Sequence, residues 1–283
     1  MITPQEEAYV LEKAYVPEHI VTMMALISKG DSFLIEDHLT FAKDNWLILV
    51  GYPLDRNFSR ERCEQILKHT LETFRPEYVW FIGPEVPDSL LDSSRERETD
   101  QYYRLDLEKT TVKPSLQRMA DKASKELVVE RGHSISKEHE AVIAELLKRE
   151  KLPPRLRELY RAMPYYVAHS SGACVLNALN KNGKLCAFNV VELGAKNFST
   201  YVLGSHSKKH YVSHASDLLF LEMIKLTQEH GKNTINLGLG VNEGIRRFKK
   251  KWGGVPFLKY EFCESFYGTT RTVSVIKSLM DKL

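Results

Sequence analysis

Apolar positions in the first hundred residues repeat at two different spacings. Three short apolar runs have the length and composition of β-strands: SFLIEDH at 32–38, NWLILVGYPL at 45–54 and YVWFI at 78–82. Apolar residues at helical spacing predict helices over 17–29, which a proline opens, and over 57–74. The first third of the chain is therefore expected to alternate between strands and helices.

A polar stretch separates this region from the middle of the chain. Residues 87–100 are charged and polar without sustained periodicity, which predicts a loop and a domain boundary. The alternating run QYYRLDLEK at 101–109 then predicts a strand. Helical spacing predicts two helices over 114–132 and 136–151, and 155–163 is expected to add another turn or two of helix.

Strand-like alternation dominates the second half. Three apolar runs within 173–204 are separated by turns at 181–184 and 194–197, and the first turn contains Asn-Gly, a strong hairpin signal. They predict an antiparallel meander of three strands. A helix over 213–230 and a last strand with its exit turn, TINLGLG at 234–240, are expected to follow.

The two halves share an order of elements: strand, loop, helix, strand. Sequence identity between them is negligible, so only the order repeats. The pattern predicts an α/β (α+β) fold with mixed, mainly antiparallel sheets flanked by helices, in two domains at 1–100 and 101–283.

Composition and charge exclude several classes of protein. A net charge of +3 is too small to indicate a dedicated nucleic-acid coat, so any anion site must be local. HExxH, GxSxG and GxGxxG do not occur in the sequence, the start lacks a secretion-signal pattern, and no apolar run approaches the roughly 18–20 residues of a membrane span. We therefore expect a cytoplasmic protein without a metal site. The widely spaced cysteines, which disfavour a zinc module, are Cys63, Cys174, Cys186 and Cys263.

The end of the chain carries a family resemblance. NEGIRRFKKKWGG at 242–254, together with the order of elements before it, resembles the Fem-like branch of the GNAT acyltransferase superfamily. The resemblance covers roughly 164–264 and implies a tandem of GNAT-like units. Without it, the glycines and cations of 233–254 are also compatible with a phosphate cradle, a nucleic-acid patch, or a strand end, a turn and a solvated helix. In such a helix Asn242 and Glu243 are expected to cap the N-terminus, and Phe248 and Trp252 to pack on the domain. The matching positions are Gly238, Gly240, Gly244, Ile245, Phe248, Lys249, Trp252, Gly253 and Gly254.

The resemblance implies transfer of an acyl or aminoacyl group to an amine, without a tightly bound cofactor. Acyl-CoA or aminoacyl-tRNA is the expected donor, and the acceptor is an amine on a small molecule, peptide or lipid. The loop GSHSKKHYVSHAS at 204–216 lacks the glycines with which GNAT enzymes hold the coenzyme A pyrophosphate. This departure favours aminoacyl-tRNA.

Donor-binding residues are expected where the third meander strand separates from the last strand and where the next helix begins. If these strands paired along their full length, there would be no donor slot. The cations could equally be solvated. The candidate donor-binding residues are Leu203, Gly204, Ser205, Lys208, Lys209, His210, His214, Arg246 and Lys249.

Three residues are candidates for proton transfer. Glu192 is a candidate base for the attacking amine, and Tyr211 or Tyr201 could protonate the leaving group. The alternatives are a surface carboxylate and tyrosines that complete a core edge. The rival function is a non-catalytic GNAT-fold module that binds RNA, a lipid head group or a protein. The sequence leaves the oligomeric state open.

Overall fold

The computed structural model describes residues 1–150, 152 and 154–267. The chain folds into two compact units. Unit 1 contains 1–102, 239–241 and, among the described residues, 256–267, whereas unit 2 contains 103–238 and 242–255. The sequence-based boundary at residue 100 remains a prediction for where a GNAT-like domain begins.

Helices and strands alternate along the chain. The first part contains α1 (Pro4–Lys13), a 3₁₀ turn (Pro17–His19), α2 (Val21–Ser28), β1 (Asp31–Ile35), β2 (His38–Lys43), β3 (Trp46–Val50), α3 (Arg60–Phe74), β4 (Tyr78–Gly83), α4 (Asp88–Leu91) and β5 (Ser94–Asp106). The second part contains α5 (Pro114–Ser124), β6 (Leu127–Gly132), α6 (Lys137–Arg149), α7 (Pro154–His169), β7 (Ala173–Asn180), β8 (Leu185–Glu192), β9 (Phe198–His206), α8 (Ala215–Glu229), β10 (Thr234–Leu239), α9 (Glu243–Lys251) and β11 (Val255–Phe266). The predicted mixed α/β fold class is confirmed.

Unit 1 is built on strands that pair in the order β1-β2-β3-β4-β11. β3 and β4 are parallel, with α3 as the connection between them. Ser59 caps α3 by accepting the N–H of Arg62, as its position predicts. The helix buries Cys63 and Ile66, which face the sheet at helical spacing.

Unit 2 is built on strands in the order β10-β9-β8-β7-β6. β7, β8 and β9 form the predicted antiparallel meander. Gly183 adopts a φ of +70° in the turn between β7 and β8, which explains why glycine occupies that position. The core lies between this sheet and α8, where Phe220 stacks on Trp252 with ring centroids 4.7 Å apart.

Several predicted elements need correction. The helix expected over 114–132 ends at Ser124, and 127–132 forms strand β6, because these residues pair with β7. The loop expected over 87–100 contains α4 and most of the polar strand β5, where Thr99 bonds Glu261 at 2.8 Å. The helix expected over 17–29 is interrupted at Ile20, whose backbone is extended. At β5 and β6, contacts with strands distant in sequence outweigh the local pattern of apolar and polar residues.

Candidate active site

β9 and β10 are parallel neighbours that separate after a short paired stretch. Residues 198–200 of β9 pair with 234–236 of β10. From Tyr201 to His206, β9 continues to pair with β8 but, within the described part of the chain, not with β10. The predicted separation of these strands is confirmed, and we call the gap that opens between them the split.

The equivalent pair in unit 1 does not separate in this way. β3 and β4 are also joined by a helix, but all five residues of β3, Trp46–Val50, pair with 78–82 of β4. Gly51 extends the pairing by donating its N–H to the carbonyl of Ile82 at 2.7 Å. Of these two strand–helix–strand arrangements, the one in unit 2 contains the split.

The register of β9 directs backbone groups into the split. The N–H of Ser207 donates to the carbonyl of Cys186 on β8 at 2.8 Å. Opposed residues in an antiparallel pair alternate between bonded and non-bonded positions, so Gly204 and His206 lie at non-bonded positions. Their N–H and C=O groups therefore point away from β8, toward the side from which β10 has diverged.

A β-bulge in β9 changes which side chains share a face. Thr200 lies opposite Glu192 and Ser205 lies opposite Phe188, although Val202 is an extra residue between them. Glu192 and Phe188 are four residues apart on β8, so their side chains share a face. Thr200 and Ser205 consequently share that face as well, despite their odd spacing of five residues.

The two faces of the sheet in unit 2 carry different helices. On one face, His139 of α6 contacts Phe188 with ring centroids 4.9 Å apart, and α7 packs on β7. On the other face, Ser199 bonds Thr227 of α8 at 2.6 Å between the hydroxyl oxygens. We call these the α6–α7 face and the α8 face. Thr200 and Ser205 lie on the α6–α7 face.

Glu192, the candidate base, is buried at 1% exposure on the α6–α7 face. Its carboxylate accepts hydrogen bonds from the hydroxyl of Tyr166, from Ser170 Oγ at 3.0 Å and from the N–H of Gly194 at 2.7 Å. Burial and the neighbouring negative charge of Glu192 raise the pKa of Tyr166. The contacts of Glu192 are those of a structural anchor that joins α7 to the end of β8, and its role as a base stays a prediction.

Tyr201, a candidate acid, lies on the α8 face at the start of the split. A Cβ atom at Gly204 would collide with the hydroxyl of Tyr201 and with Asn189 Oδ1, so the tyrosine lies across the glycine. Burial raises the pKa of Tyr201. The other candidate, Tyr211, is 64% exposed beyond the end of β9, with its ring centroid 6.0 Å from that of His206.

The loop between β9 and α8 carries most of the predicted donor-binding cations. Lys208 and Lys209 are exposed, and His210 is half-buried, with its N–H bonded to Ser207 Oγ at 3.2 Å. His214 adopts a φ of +66° before the first turn of α8. The structure thus leaves Lys208 and Lys209 exposed in the loop that leads to the N-terminus of α8, an end of a helix at which the macrodipole favours an anion.

A carboxylate already lies in the first turn of α8. Asp217 is 5% exposed and accepts hydrogen bonds from Trp252 Nε1 at 3.1 Å and Lys251 Nζ at 2.5 Å. His214 Nδ1 lies 3.2 Å from its second oxygen. A phosphate placed there would meet this negative charge, which disfavours the usual GNAT position for a pyrophosphate.

Helix α9 brings a buried lysine to the split. Lys249 is 3% exposed, and its Nζ lies 5.7 Å from the ring centroid of Tyr103. A Cβ placed on Gly238 would lie 3.9 Å from that Nζ and 3.7 Å from the carbonyl oxygen of Tyr201. Lys249 therefore lies where β9 and β10 diverge, whereas Arg246, the other predicted cation of α9, is half-buried one turn earlier.

The predicted structural roles within α9 are confirmed. The side chain of Asn242 caps the helix by accepting the N–H of Ile245 at 3.0 Å. Phe248 contacts Phe220 edge to face with ring centroids 5.4 Å apart, and Trp252 stacks on the same ring. This packing positions Lys249, which lies between the two aromatic residues in sequence.

Three buried side-chain atoms beside the split lack a hydrogen-bond partner among the described residues: Thr200 Oγ1, Ser205 Oγ and Asn236 Nδ2. Asn236 lies directly opposite Thr200 in the strand register, so its side chain shares the α6–α7 face. Leu203 is buried on this face as well. Thr200 and Asn236 are not among the predicted site residues, although each is a polar residue in a predicted apolar strand.

Two classes of feature are absent from the described residues. The searched part of the chain contains no group of three or more His, Cys, Asp or Glu arranged to hold a metal ion. Within the same part, no helix has both the length and the apolar character needed to cross a membrane.

The fold and the split define the class: the chain has the GNAT fold, as the resemblance implies. No protein-family model matches the sequence, and no curated protein matches it. Similar solved structures include L-PGS from Bacillus licheniformis, with 15% identity and a TM-score of 0.58 over 99% of this chain and 96% of that one. FemX is similar with 12% identity and a TM-score of 0.60, over 92% of this chain and 96% of that one.

A tandem GNAT protein from the clavulanic acid biosynthesis pathway is also similar. It shares 12% identity at a TM-score of 0.51, over 83% of this chain and 79% of that one. These likenesses, at such low identity, concern the fold.

Proposed function

We propose that unit 2 is a transferase that moves an acyl or aminoacyl group from an activated donor to an amine. The observation that carries this proposal is the split, because it exposes backbone groups of β9 beside a buried lysine. Enzymes of acyl transfer need preorganised donors aimed at the oxygen on which negative charge develops. The N–H of Gly204 and the ammonium group of Lys249 are the candidates.

The proposed reaction is direct attack. The neutral amine nitrogen forms a bond with the carbonyl carbon, and the carbon–oxygen or carbon–sulfur bond of the donor then breaks. One proton leaves the nitrogen and one reaches the departing oxygen or sulfur. Tyr201 is the better placed of the two tyrosine candidates because it lies at the split, whereas Tyr211 is exposed beyond β9.

The donor is proposed to be an aminoacyl ester of tRNA rather than an acyl-CoA held in the usual way. Asp217 fills the first turn of α8, and the preceding loop presents Lys208 and Lys209 as exposed cations that suit a phosphate backbone. One similar structure is the C-terminal domain of a protein from Agrobacterium fabrum whose name, lysylphosphatidylglycerol synthetase, refers to a lysyl group joined to a lipid. The acceptor is an amine on a small molecule, peptide or lipid.

A transfer assay with two matched variants tests this function. The full chain is incubated with radiolabelled aminoacyl-tRNA or acyl-CoA and a panel of amines, and the labelled product is quantified. Lys249→Met is expected to lower kcat/KM at least tenfold, because a charge-assisted contact to the transition state is lost. Lys250→Met, an exposed neighbour on the same helix, is the control and is expected to change it little. Equal effects of the two substitutions would contradict the proposed role of Lys249.

A second candidate is a non-catalytic module that binds an anionic partner. The observation in its favour is again Asp217, because its buried carboxylate disfavours binding of the phosphate groups of an acyl donor at the start of α8. Thermal-shift measurements with coenzyme A, acyl-CoA thioesters, charged tRNA, uncharged RNA and anionic lipid vesicles separate the two functions. A shift with uncharged RNA or lipid, and none with any acyl donor, would favour the binding module.

A further inference from the structure

The closed end of the split is lined by polar groups. Thr200 and Asn236 face each other across the last paired rung of β9 and β10, and both are 2% exposed. Thr200 Oγ1 and Asn236 Nδ2 have no hydrogen-bond partner among the described residues. A buried hydrogen-bonding group without a partner destabilises the folded state, so its retention needs a reason.

The orientation of the Asn236 side-chain amide is set by its oxygen atom. Asn236 Oδ1 accepts the N–H of Gly238 at 2.8 Å, and Gly238 adopts a φ of +71°. This bond holds the β10 backbone where it turns away from β9. It also fixes the amide group, so that Nδ2 is presented toward the α6–α7 face as a donor.

The chemistry of this pair is neutral and directional. Thr200 can donate one hydrogen bond and accept others, and Asn236 Nδ2 offers N–H donors. Glu192, which lies opposite Thr200 in the strand register, already accepts three hydrogen bonds from Tyr166, Ser170 and Gly194. The pair therefore suits an uncharged oxygen or nitrogen of a ligand and does not suit a hydrocarbon group.

The distance along the strand links this pair to the reacting carbonyl. Successive residues of a strand are about 3.3 Å apart, so the first residue of the split, Tyr201, lies one such step from Thr200. An acyl group whose carbonyl contacts the backbone of β9 near the start of the split would bring the adjoining carbon close to Thr200 and Asn236. This step rests on the proposed function, which puts the carbonyl in the split.

We infer that Thr200 and Asn236 determine the specificity of the acyl group, selecting one that bears a hydroxyl or amino substituent on the carbon next to the carbonyl. Thr200 Oγ1 and Asn236 Nδ2 bond this substituent. An unsubstituted alkyl acyl group leaves both atoms unpartnered and is rejected for that reason. Ser205, several residues further along β9, lies outside this contact.

Stability supplies the first test, in the absence of any ligand. Thr200→Val removes a buried hydroxyl that has no partner among the described residues, so the melting temperature is expected to rise by roughly 2–4 °C. Thr227→Val is the matched control: Thr227 is equally buried, but its hydroxyl donates to the carbonyl of Met223 at 2.8 Å and contacts Ser199. That substitution is expected to lower the melting temperature. A decrease in Thr200→Val as large as in Thr227→Val would overturn the inference.

Selectivity between acyl groups with the same carbon skeleton supplies the second test. Alanyl-tRNA is compared with propionyl-tRNA, and lactoyl-CoA with propionyl-CoA, in the transfer assay with the full chain. The wild type is expected to prefer the substituted group at least tenfold in kcat/KM. Thr200→Val is expected to lower this ratio severalfold, while Asn236 retains the rest of the preference. Thr227→Val is expected to keep the wild-type ratio.

The outcomes separate this inference from the function on which it rests. Absence of transfer from every donor by the wild type would overturn the proposed function, and the inference with it. Transfer of propionyl and substituted groups at equal rates, or a ratio that Thr200→Val leaves unchanged, would overturn the inference alone.

Discussion

Single residues in this chain are constrained by what lies next to them in space. Gly204 has no room for a Cβ because the Tyr201 hydroxyl and Asn189 Oδ1 occupy the position. His19 is fully buried, and its Nε2 bonds the carbonyl of Tyr52 at 2.8 Å while Nδ1 accepts the N–H of Tyr15. Both environments lead to measurable predictions.

Gly204→Ala is expected to destabilise the fold. The new methyl group must displace Tyr201 or Asn189, which costs about 1–3 kcal/mol for an overpacked site. Gly132→Ala in β6 is the matched control, because its Cβ would meet only Asn177 Nδ2 at an ordinary 3.5 Å. Urea unfolding measures both free energies, and equal values for the two variants would show that the site near Gly204 can relax.

His19 is expected to make stability fall in mild acid. Burial lowers the pKa of His19 from 6.5 to about 4, so between these values the unfolded chain binds a proton that the folded chain does not. Its contribution is constant above pH 6.5 and declines as the pH falls to about 4, by about 3 kcal/mol in total.

The difference in unfolding free energy between wild type and His19→Gln, measured across this pH range, isolates the effect of His19. His69→Gln on the exposed side of α3 serves as the control. A difference that stays constant from pH 7 to pH 4 would contradict the prediction.

Whole elements are joined by a few buried polar contacts. Glu192 at the end of β8 holds Tyr166 of α7, Ser170 after that helix and Gly194 in the following turn. The same carboxylate fills the space beside Gly172, whose Cβ would collide with it. One side chain thus connects α7, β7 and β8.

Glu192→Gln is expected to affect stability more than chemistry. An amide offers one acceptor oxygen where the carboxylate offers two, so one of the three donors loses its partner at a cost of about 1–3 kcal/mol. If Glu192 acts as an anchor, the pH profile of transfer by the folded variant keeps its shape. Loss of the acid-side limb of the pH profile, with unchanged stability, would instead support a general base.

At the scale of the whole molecule, chain order and compact units do not coincide. β11 comes last among the described strands, yet it pairs with β4 and belongs, from Pro256 on, to unit 1. Phe262 on this strand is 2% exposed and packs against Trp80 with ring centroids 6.1 Å apart. Unit 1 therefore depends on residues that follow unit 2 in sequence.

Phe262→Ala is expected to destabilise unit 1 although the substitution lies near the end of the described chain. Removing a buried phenylalanine side chain costs about 3–5 kcal/mol. Hydrogen exchange is expected to show lost protection in β3 and β4 and retained protection in β7 and β8. Faster exchange confined to β7 and β8 would contradict this assignment.

The accuracy of the sequence-based predictions follows the range of the interactions. The meander, the caps of α3 and α9, and helix α8 were predicted because a turn or a cap depends on residues a few positions apart. The strand at 127–132 and most of β5 were missed, because their pairing partners lie far away in sequence. Thr200 and Asn236 were missed for the same reason.

The sequence by itself determined the order of helices and strands from β7 to β10 and, through its last motif, the resemblance to the GNAT fold. Only the tertiary structure decided where the predicted separation of β9 and β10 occurs, which is after three paired residues. It also decided that the bulge at Val202 brings Thr200 and Ser205 to one face. It also assigned β11 to unit 1. Strand pairing joins segments that are distant in sequence, and the free energy that selects one register comes from burial and hydrogen bonds that local sequence patterns do not specify.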